Sequence, residues 1–202
     1  MKNTSVINEQ VAMNFLKKNS PAKYYLCKSL DSLIKREAVG PLGKILAEAN
    51  EFIQADWINK HTKIKVVKRE ELDDSEINFD KNASGFDLIT TDGKMKIQSK
   101  LRYSTIHLEQ TRRVSDKNKN SSGSGHVQYS VGEADVYLFS RPASVKDYGE
   151  TNNWTYIAIP ETALIDPNNS NYLRRNVPKK IWKQYLNKAP QVLESVYNNL
   201  CP

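Results

Sequence analysis

"GFDLITTDGKMKIQSKLR", residues Gly85 to Arg102, is the stretch on which the reading of this chain turns. Two short runs, "FDLIT" and "KMKIQSKL", flank Asp92-Gly93. Asp-Gly is a favoured two-residue turn between antiparallel strands, because glycine enters the positive-φ region freely. A hairpin centred on that turn sets Thr91 against Lys94, Thr90 against Met95, Ile89 against Lys96, Leu88 against Ile97 and Asp87 against Gln98. Side chains alternate between faces along a strand. Phe86, Leu88, Met95 and Ile97 then form an apolar face, while Asp87, Ile89, Lys96, Gln98 and Lys100 share the other. Opposed residues have Cβ atoms about 5 Å apart, so Asp87, Gln98 and Lys100 converge on one patch. A slip of one residue would separate them, which makes the turn the controlling feature.

Such a patch suits phosphodiester hydrolysis. A carboxylate and a second oxygen ligand can hold Mg²⁺, a hard cation that prefers oxygen and keeps several waters. Bound there, the ion acidifies a water and offsets charge on the phosphate. A neighbouring lysine ammonium orients the attacking water and stabilises charge that develops on the phosphorus oxygens.

The "GFD" and "IQSK" motifs resemble the PD-(D/E)xK nuclease superfamily, whose core hairpin carries an acid on one strand and (D/E)-x-K on the next. The Gln-x-Lys form resembles Mrr-type restriction enzymes and some type II restriction endonucleases. The match covers Gly85 to Arg102 and extends loosely to an upstream helix and downstream strands. It implies an α/β fold with a central mixed β-sheet flanked by helices, a restriction-endonuclease-like core. It also implies that Asp87 is the metal-binding acid, that Gln98 stands where a second acid is usual, that Lys100 is the catalytic lysine and that Mg²⁺ is the cofactor. Phe86 replaces the proline of the pattern, which matters little. Gln98 matters more, because a neutral ligand leaves the site short of negative charge.

Members of the superfamily with Gln at that place often take a glutamate from the preceding helix. The helix expected from Pro41 to about Asn59 offers Glu48 and Glu51. Counted from Leu42 at about 100° per residue, Glu48 lies near 240° and Glu51 near 180°, with Phe52 and Ile45 near 280° and 300°. Glu48 therefore borders the apolar stripe and is expected to join Asp87 and Gln98 as a catalytic and metal-binding residue, with Glu51 exposed.

The charge distribution points to an acidic partner. The formal net charge is +7. Between Lys94 and Lys146 ten cations stand against four acids, so most of the surplus lies in about a quarter of the chain. Within "TRRVSDKNKNSSGSGHVQYS", Arg112, Arg113, Lys117, Asn118, Lys119, Asn120, Ser122, His126 and Gln128 offer guanine, adenine and phosphate contacts. With Arg102, they are the expected DNA-binding residues. "SDKNKNSSGSGH" reads as a loop. Asp135, at a strand entrance, reads as a strand-end cap.

The rest of the chain supplies the frame. "NEQVAMNFLKKN" and "SPAKYYLCKSLDSLIKREAVG" carry helical periodicity, with Pro21 in a first turn. "KIKVVKRE" reads as a short strand, "STIHLEQTRRV" as strand or helix, and "ADVYLFSRP" and "WTYIAIP" as buried strands. "PETALI" is expected to start a helix, and "NVPKKIWKQYLNKAPQVLESVYNNL" to form one or two more, broken near Pro190. One domain is expected over 1–202: helical over 1–60, catalytic sheet and DNA-facing loop over 61–160, C-terminal helices over 161–202. Two distant cysteines, Cys27 and Cys201, make no disulfide framework. No apolar run approaches a membrane span and no signal-peptide core opens the chain, so a cytosolic protein is expected. The expected activity is Mg²⁺-dependent, sequence-specific cleavage of double-stranded DNA by a homodimer, since two strands call for two sites. A non-catalytic nucleic-acid-binding domain on a nuclease-like fold, or a repair or structure-specific nuclease, are the alternatives.

Overall fold

The computed structural model describes residues 9–35, 42–72, 86–102, 105–113, 124–142 and 153–201. Helices α1 (Glu9–Asn19), α2 (Pro21–Lys35) and α3 (Leu42–His61) come first. Strands β1 (Val66–Lys68), β2 (Leu88–Thr90) and β3 (Lys96–Leu101) follow, then the ribbon β4 (Glu109–Arg113) and β5 (Ser124–Gln128). Strands β6 (Val136–Arg141) and β7 (Thr155–Pro160) return to the sheet. A small hairpin, β8 (Ile165–Asp166) and β9 (Asn169–Leu173), precedes helices α4 (Lys179–Trp182) and α5 (Ala189–Leu200).

The main sheet is mixed and five-stranded, in the order β1-β2-β3-β6-β7. Its first three strands are antiparallel, β3 and β6 are parallel, and β6 and β7 are antiparallel. A parallel pair needs a long crossover; here the connection between β3 and β6 contains the β4–β5 ribbon. One face of the sheet carries Leu88, Met95, Ile97, Val136, Leu138 and Ala158 against Tyr25, Phe52, Ile53 and Leu193 from α2, α3 and α5. The other carries Ile89, Tyr137, Phe139, Ile157 and Ile159 against Ile106, Leu108, Tyr129, Leu164, Leu173 and Val177. From Val136 to Ser140, β6 is buried at every residue, so apolar side chains on both faces explain its unbroken apolar sequence. Tyr129, Tyr137, Phe139, Trp154 and Tyr156 are buried in these cores, and Trp182 and Tyr185 are half-buried.

The hairpin keeps the expected register with a different turn. Leu88 pairs with Ile97 and Ile89 with Lys96. Gly93 has φ 75°, but Asp92 does not enter the positive region that a two-residue turn of this kind requires. The loop is instead four residues, Thr91 to Lys94. Gly93 N donates to Thr90 O at 2.8 Å, and Thr90 N donates to Met95 O at 3.0 Å. Thr90 Oγ1 accepts from Lys94 N at 3.1 Å and Met95 N at 3.0 Å, replacing ladder bonds that a tighter turn would make. The loop widens by one residue on each side, so the pairing beyond it is unchanged. Phe86 departs from the expected face: it precedes the strand and packs with Ile89 on the second core, beneath Arg69 and Lys96.

Other expectations change for local reasons. Within "STIHLEQTRRV", Glu109–Arg113 forms β4, and Ser124 to His126, read as the end of a loop, belong to β5. "PETALI" makes only one 3₁₀ turn, Glu161–Leu164, before the chain enters β8 at Ile165 and turns at Pro167-Asn168 into β9. Pro190 opens α5 rather than breaking a longer helix, and the break sits at Asn187, with φ 59°. Both cysteines are free thiols. Among the described residues no helix is long and apolar enough to cross a membrane.

Candidate functional site

Helix α3 sets the floor of the site. Its buried residues include Ala49, Phe52, Ile53 and Ile58, and also Glu48, Asn50 and Gln54. That arc is much wider than a single stripe because α3 is covered from two sides. The sheet lies on one, and on the other α2 stacks Tyr25 on Phe52 and donates a Ser29 hydroxyl hydrogen bond to Ile45 O. The buried amides serve the sheet. Gln54 Nε2 donates to Leu138 O at 2.9 Å and to Ser140 Oγ at 2.8 Å, and Asn50 Nδ2 donates to Ser99 Oγ at 2.7 Å. These bonds tie α3 to the middle of β3 and β6 and so fix the height of Glu48 and Glu51 above the hairpin.

Lys68, on β1, organises the acids. It alternates with Val66 onto the face that α3 covers, and its side chain is 2% exposed. Its ammonium contacts Glu48, lies 3.0 Å from Glu51 Oε2 and 3.3 Å from Glu70 Oε2, and sits 4.4 Å from the Phe52 ring centre. The three glutamates bring carboxylate oxygens within 4.8 Å of one another. Burial alone would push a lysine pKa down, but Glu51, Glu48 and Glu70 overcome it and raise it, so Lys68 is a fixed cation. Glu48 is thus engaged by Lys68.

Glu51 corrects the expectation. It is not exposed: its side chain is 17% accessible. Burial, and then the charge of Asp87, push its carboxyl up to about 8, against the opposing pull of Lys68. Glu51 is therefore a helix acid in the electrostatic field of Asp87.

At the end of β2, Asp87 meets the strand it was expected to face. Ser99 N donates to Asp87 Oδ2 at 2.9 Å, and Gln98 Nε2 donates to the same oxygen. Burial raises the Asp87 pKa, offset by Lys100 and the Ser99 amide. Burial lowers that of Lys100, offset mainly by Asp87. The Lys100 ammonium stands 5.0 Å from the Tyr129 ring centre, on the second core's face of the sheet. Burial thus drives both members of an acid–base pair toward neutrality, a condition that clusters at functional sites. Asp87, Gln98 and Lys100 form one group; Glu48, Glu51 and Glu70 gather around Lys68, and Glu51 is the member of that cluster whose carboxyl feels the charge of Asp87.

The expected DNA-binding residues divide into three sets. Arg102 Nε and Nη2 donate to His107 O at 3.2 and 3.0 Å, so it braces the turn after β3. Gln128 Nε2 donates to Leu173 O at 3.1 Å and lies 3.5 Å from Asp166 Oδ2, tying β5 to β8–β9. Arg112, Arg113 and His126 lie in the ribbon, where Arg112 pairs with Gly125, Arg113 with Ser124 and Thr111 with His126. Lys117, Asn118, Lys119, Asn120 and Ser122 lie outside the described residues. Asp135 is a strand-end cap as expected: its Oδ2 accepts from Lys96 N at 2.7 Å.

Lys68 and Glu70 are the residues that sequence reasoning missed, and Glu51 the one it placed in solvent. One signal was present: in "KVVK" Lys68 shares strand parity with Val66, so a core-facing Val66 demands a buried, paired lysine. The chain matches no protein-family model, no curated protein and no solved structure.

Proposed function

We propose that the protein is a Mg²⁺-dependent endonuclease that hydrolyses phosphodiester bonds in double-stranded DNA, on a restriction-endonuclease-like core. One observation carries this reading: Asp87, Gln98 and Lys100 converge across the hairpin, with the helix acid Glu51 in the field of Asp87. The donor chemistry fits the ion. Burial, and for Glu51 then the charge of Asp87, raises both carboxyls above their ordinary range, and a cation beside them would relieve that cost. Asp87 and Glu51 would hold Mg²⁺, with the Gln98 carbonyl as a neutral oxygen donor once its amide is turned by 180°. Mg²⁺ bound there would supply Lewis acidity and lower the pKa of a coordinated water.

The residues of the chain account for the remainder. Lys100 Nζ donates hydrogen bonds to the attacking water and to a non-bridging phosphate oxygen, stabilising charge as it develops. The charge of Asp87 opposes the effect of burial on that ammonium and favours its protonated form. Lys68 holds Glu48 and Glu51 in position and offsets their mutual repulsion. Sequence-specific restriction by a homodimer is the form of the activity that suits two-strand cleavage.

A second reading has its own support. The helix glutamates that could make up for Gln98, Glu48 and Glu51, both pair with Lys68, which suits a non-catalytic nucleic-acid-binding domain. Plasmid cleavage separates the two. Mg²⁺-dependent cutting that falls at least about 100-fold in both Asp87→Asn and Lys100→Met supports the nuclease. Tight, salt-sensitive DNA binding with no cutting in Mg²⁺ or Mn²⁺ supports the binding domain.

A further inference from the structure

A second basic segment lies outside the region so far considered. From Arg174 to Gln184 the sequence "RRNVPKKIWKQ" has five cations and no acid. The fold registers this segment onto the chain just after β3. Leu108 N donates to Arg175 O at 2.7 Å and Val177 N to Ile106 O at 3.0 Å, while His107 bridges to Asn176. Between the two runs lies a cleft of about 460 Å³, lined by Thr105, Ile106, Arg141, Asn176, Val177, Lys179 and Trp182. That volume falls within the range of small-ligand sites.

The lining has a definite chemistry. Among the described residues it contains two cations, a hydroxyl, an amide and an indole, and no acid. Arg141 stands 5.2 Å over the Trp182 ring, which restricts a guanidinium that would otherwise lose entropy on binding. Lys179 is exposed, as are Thr105 and Asn176. A fork-shaped cation held by an indole, an exposed ammonium in the same lining, and a hydroxyl and an amide at the rim suit a phosphate group.

The position relates the cleft to the candidate site. In the parallel pair, Lys100 lies opposite Phe139 and Leu101 opposite Ser140, and Arg102 N donates to Ser140 O at 2.9 Å. Arg141 is two residues beyond Phe139, about 7 Å further along the strands. Phe139 and Trp182 belong to the same core, and Lys100 abuts Tyr129 of that core. The cleft and the Lys100 ammonium therefore lie on one face, separated along the strands by about two nucleotide steps of a duplex strand.

We propose that this cleft is a phosphate-binding site in which Arg141 and Lys179 grip the nucleic-acid backbone a short distance from the scissile bond. The site's link to cleavage rests on the nuclease reading; its affinity for phosphate does not. The test uses the full chain, with Trp182 fluorescence as the reporter and Trp182→Phe assigning the signal. Wild type, Arg141→Lys, Arg141→Gln and Lys179→Gln are titrated with a DNA duplex and, separately, with inorganic pyrophosphate at several salt concentrations. For duplex binding, Arg141→Gln and Lys179→Gln should each reduce the slope of log K against log salt by about 0.9. Arg141→Lys should keep the slope but weaken binding. A duplex that binds wild type and both Gln variants with the same slope overturns the proposal, whether or not the protein cleaves DNA. A response to pyrophosphate but not to duplex also overturns it, by assigning the cleft to a free phosphate ligand. Conversely, a lowered slope in a protein that cuts no DNA supports the cleft and sinks the nuclease reading alone.

Discussion

Replacing Lys68 by Met removes one positive charge from a site with three carboxylates and keeps the length of the side chain. The Lys68 side chain is 2% exposed, and Glu48 and Glu51 are 9% and 17% exposed. Glu70 is 56% exposed and solvent screens its share, so the two helix acids dominate. Breaking a buried ion pair from one side costs about 3–5 kcal/mol, because the partner charge is left uncompensated. For a chain of this length about 1 kcal/mol moves the melting temperature by roughly 2–4 °C, so the expected loss is about 6–20 °C. The loss also depends on pH. The Glu51 carboxyl is pushed up to about 8 even with Lys68 present. Near pH 6 it holds its proton and needs no counter-ion; near pH 9 it is anionic and does. Thermal unfolding followed by circular dichroism at about pH 6 and about pH 9 should therefore give a larger Lys68→Met deficit at the higher pH. Mg²⁺ should recover part of it. A variant that melts within about 1 °C of wild type at pH 9 would refute the role of Lys68 as resident counter-ion.

Glu51→Gln tests the sign of the same linkage. Glu51 has a folded pKa of about 8, above its unfolded value, so its contribution to stability is full below about pH 4.5 and is lost as pH rises through 8. Urea unfolding across that window should show wild type losing stability where Glu51→Gln stays flatter. Gln98→Glu adds a third acid beside Asp87; it should lower the melting temperature without Mg²⁺ and enlarge the rise that Mg²⁺ produces. Gln54→Leu leaves Leu138 O and Ser140 Oγ without their amide donor and should cost about 1–3 kcal/mol by chemical denaturation.

The hairpin was legible because its alternation is strong. With Leu88 and Ile97 required on one face, a one-residue slip would bury Asp87 and Lys100 in the helix-covered core. The turn itself was misread because the Thr90 hydroxyl takes over two backbone donors, a substitution that turn propensities do not register. Glu48 is buried as expected, and the expected exposure of Glu51 went wrong for a tertiary reason. A single stripe describes a helix covered from one side, and α3 is covered by both the sheet and α2. The β8–β9 hairpin was missed because "NSNYL" is polar and exposed except at Leu173, so it has no alternation to read. Arg102 and Gln128 looked like readers of DNA by residue type, yet their donors brace the backbone, which composition cannot distinguish.

The most direct measurement is cleavage of supercoiled plasmid DNA by the full chain with Mg²⁺, beside Asp87→Asn, Lys100→Met and Glu51→Gln. The expected result is metal-dependent cutting into discrete products by wild type, with at least about a 100-fold loss in Asp87→Asn and Lys100→Met and a clear loss in Glu51→Gln. Cleavage that persists undiminished in Asp87→Asn and Lys100→Met, or a wild-type protein that binds DNA and cuts none of it, would contradict the account.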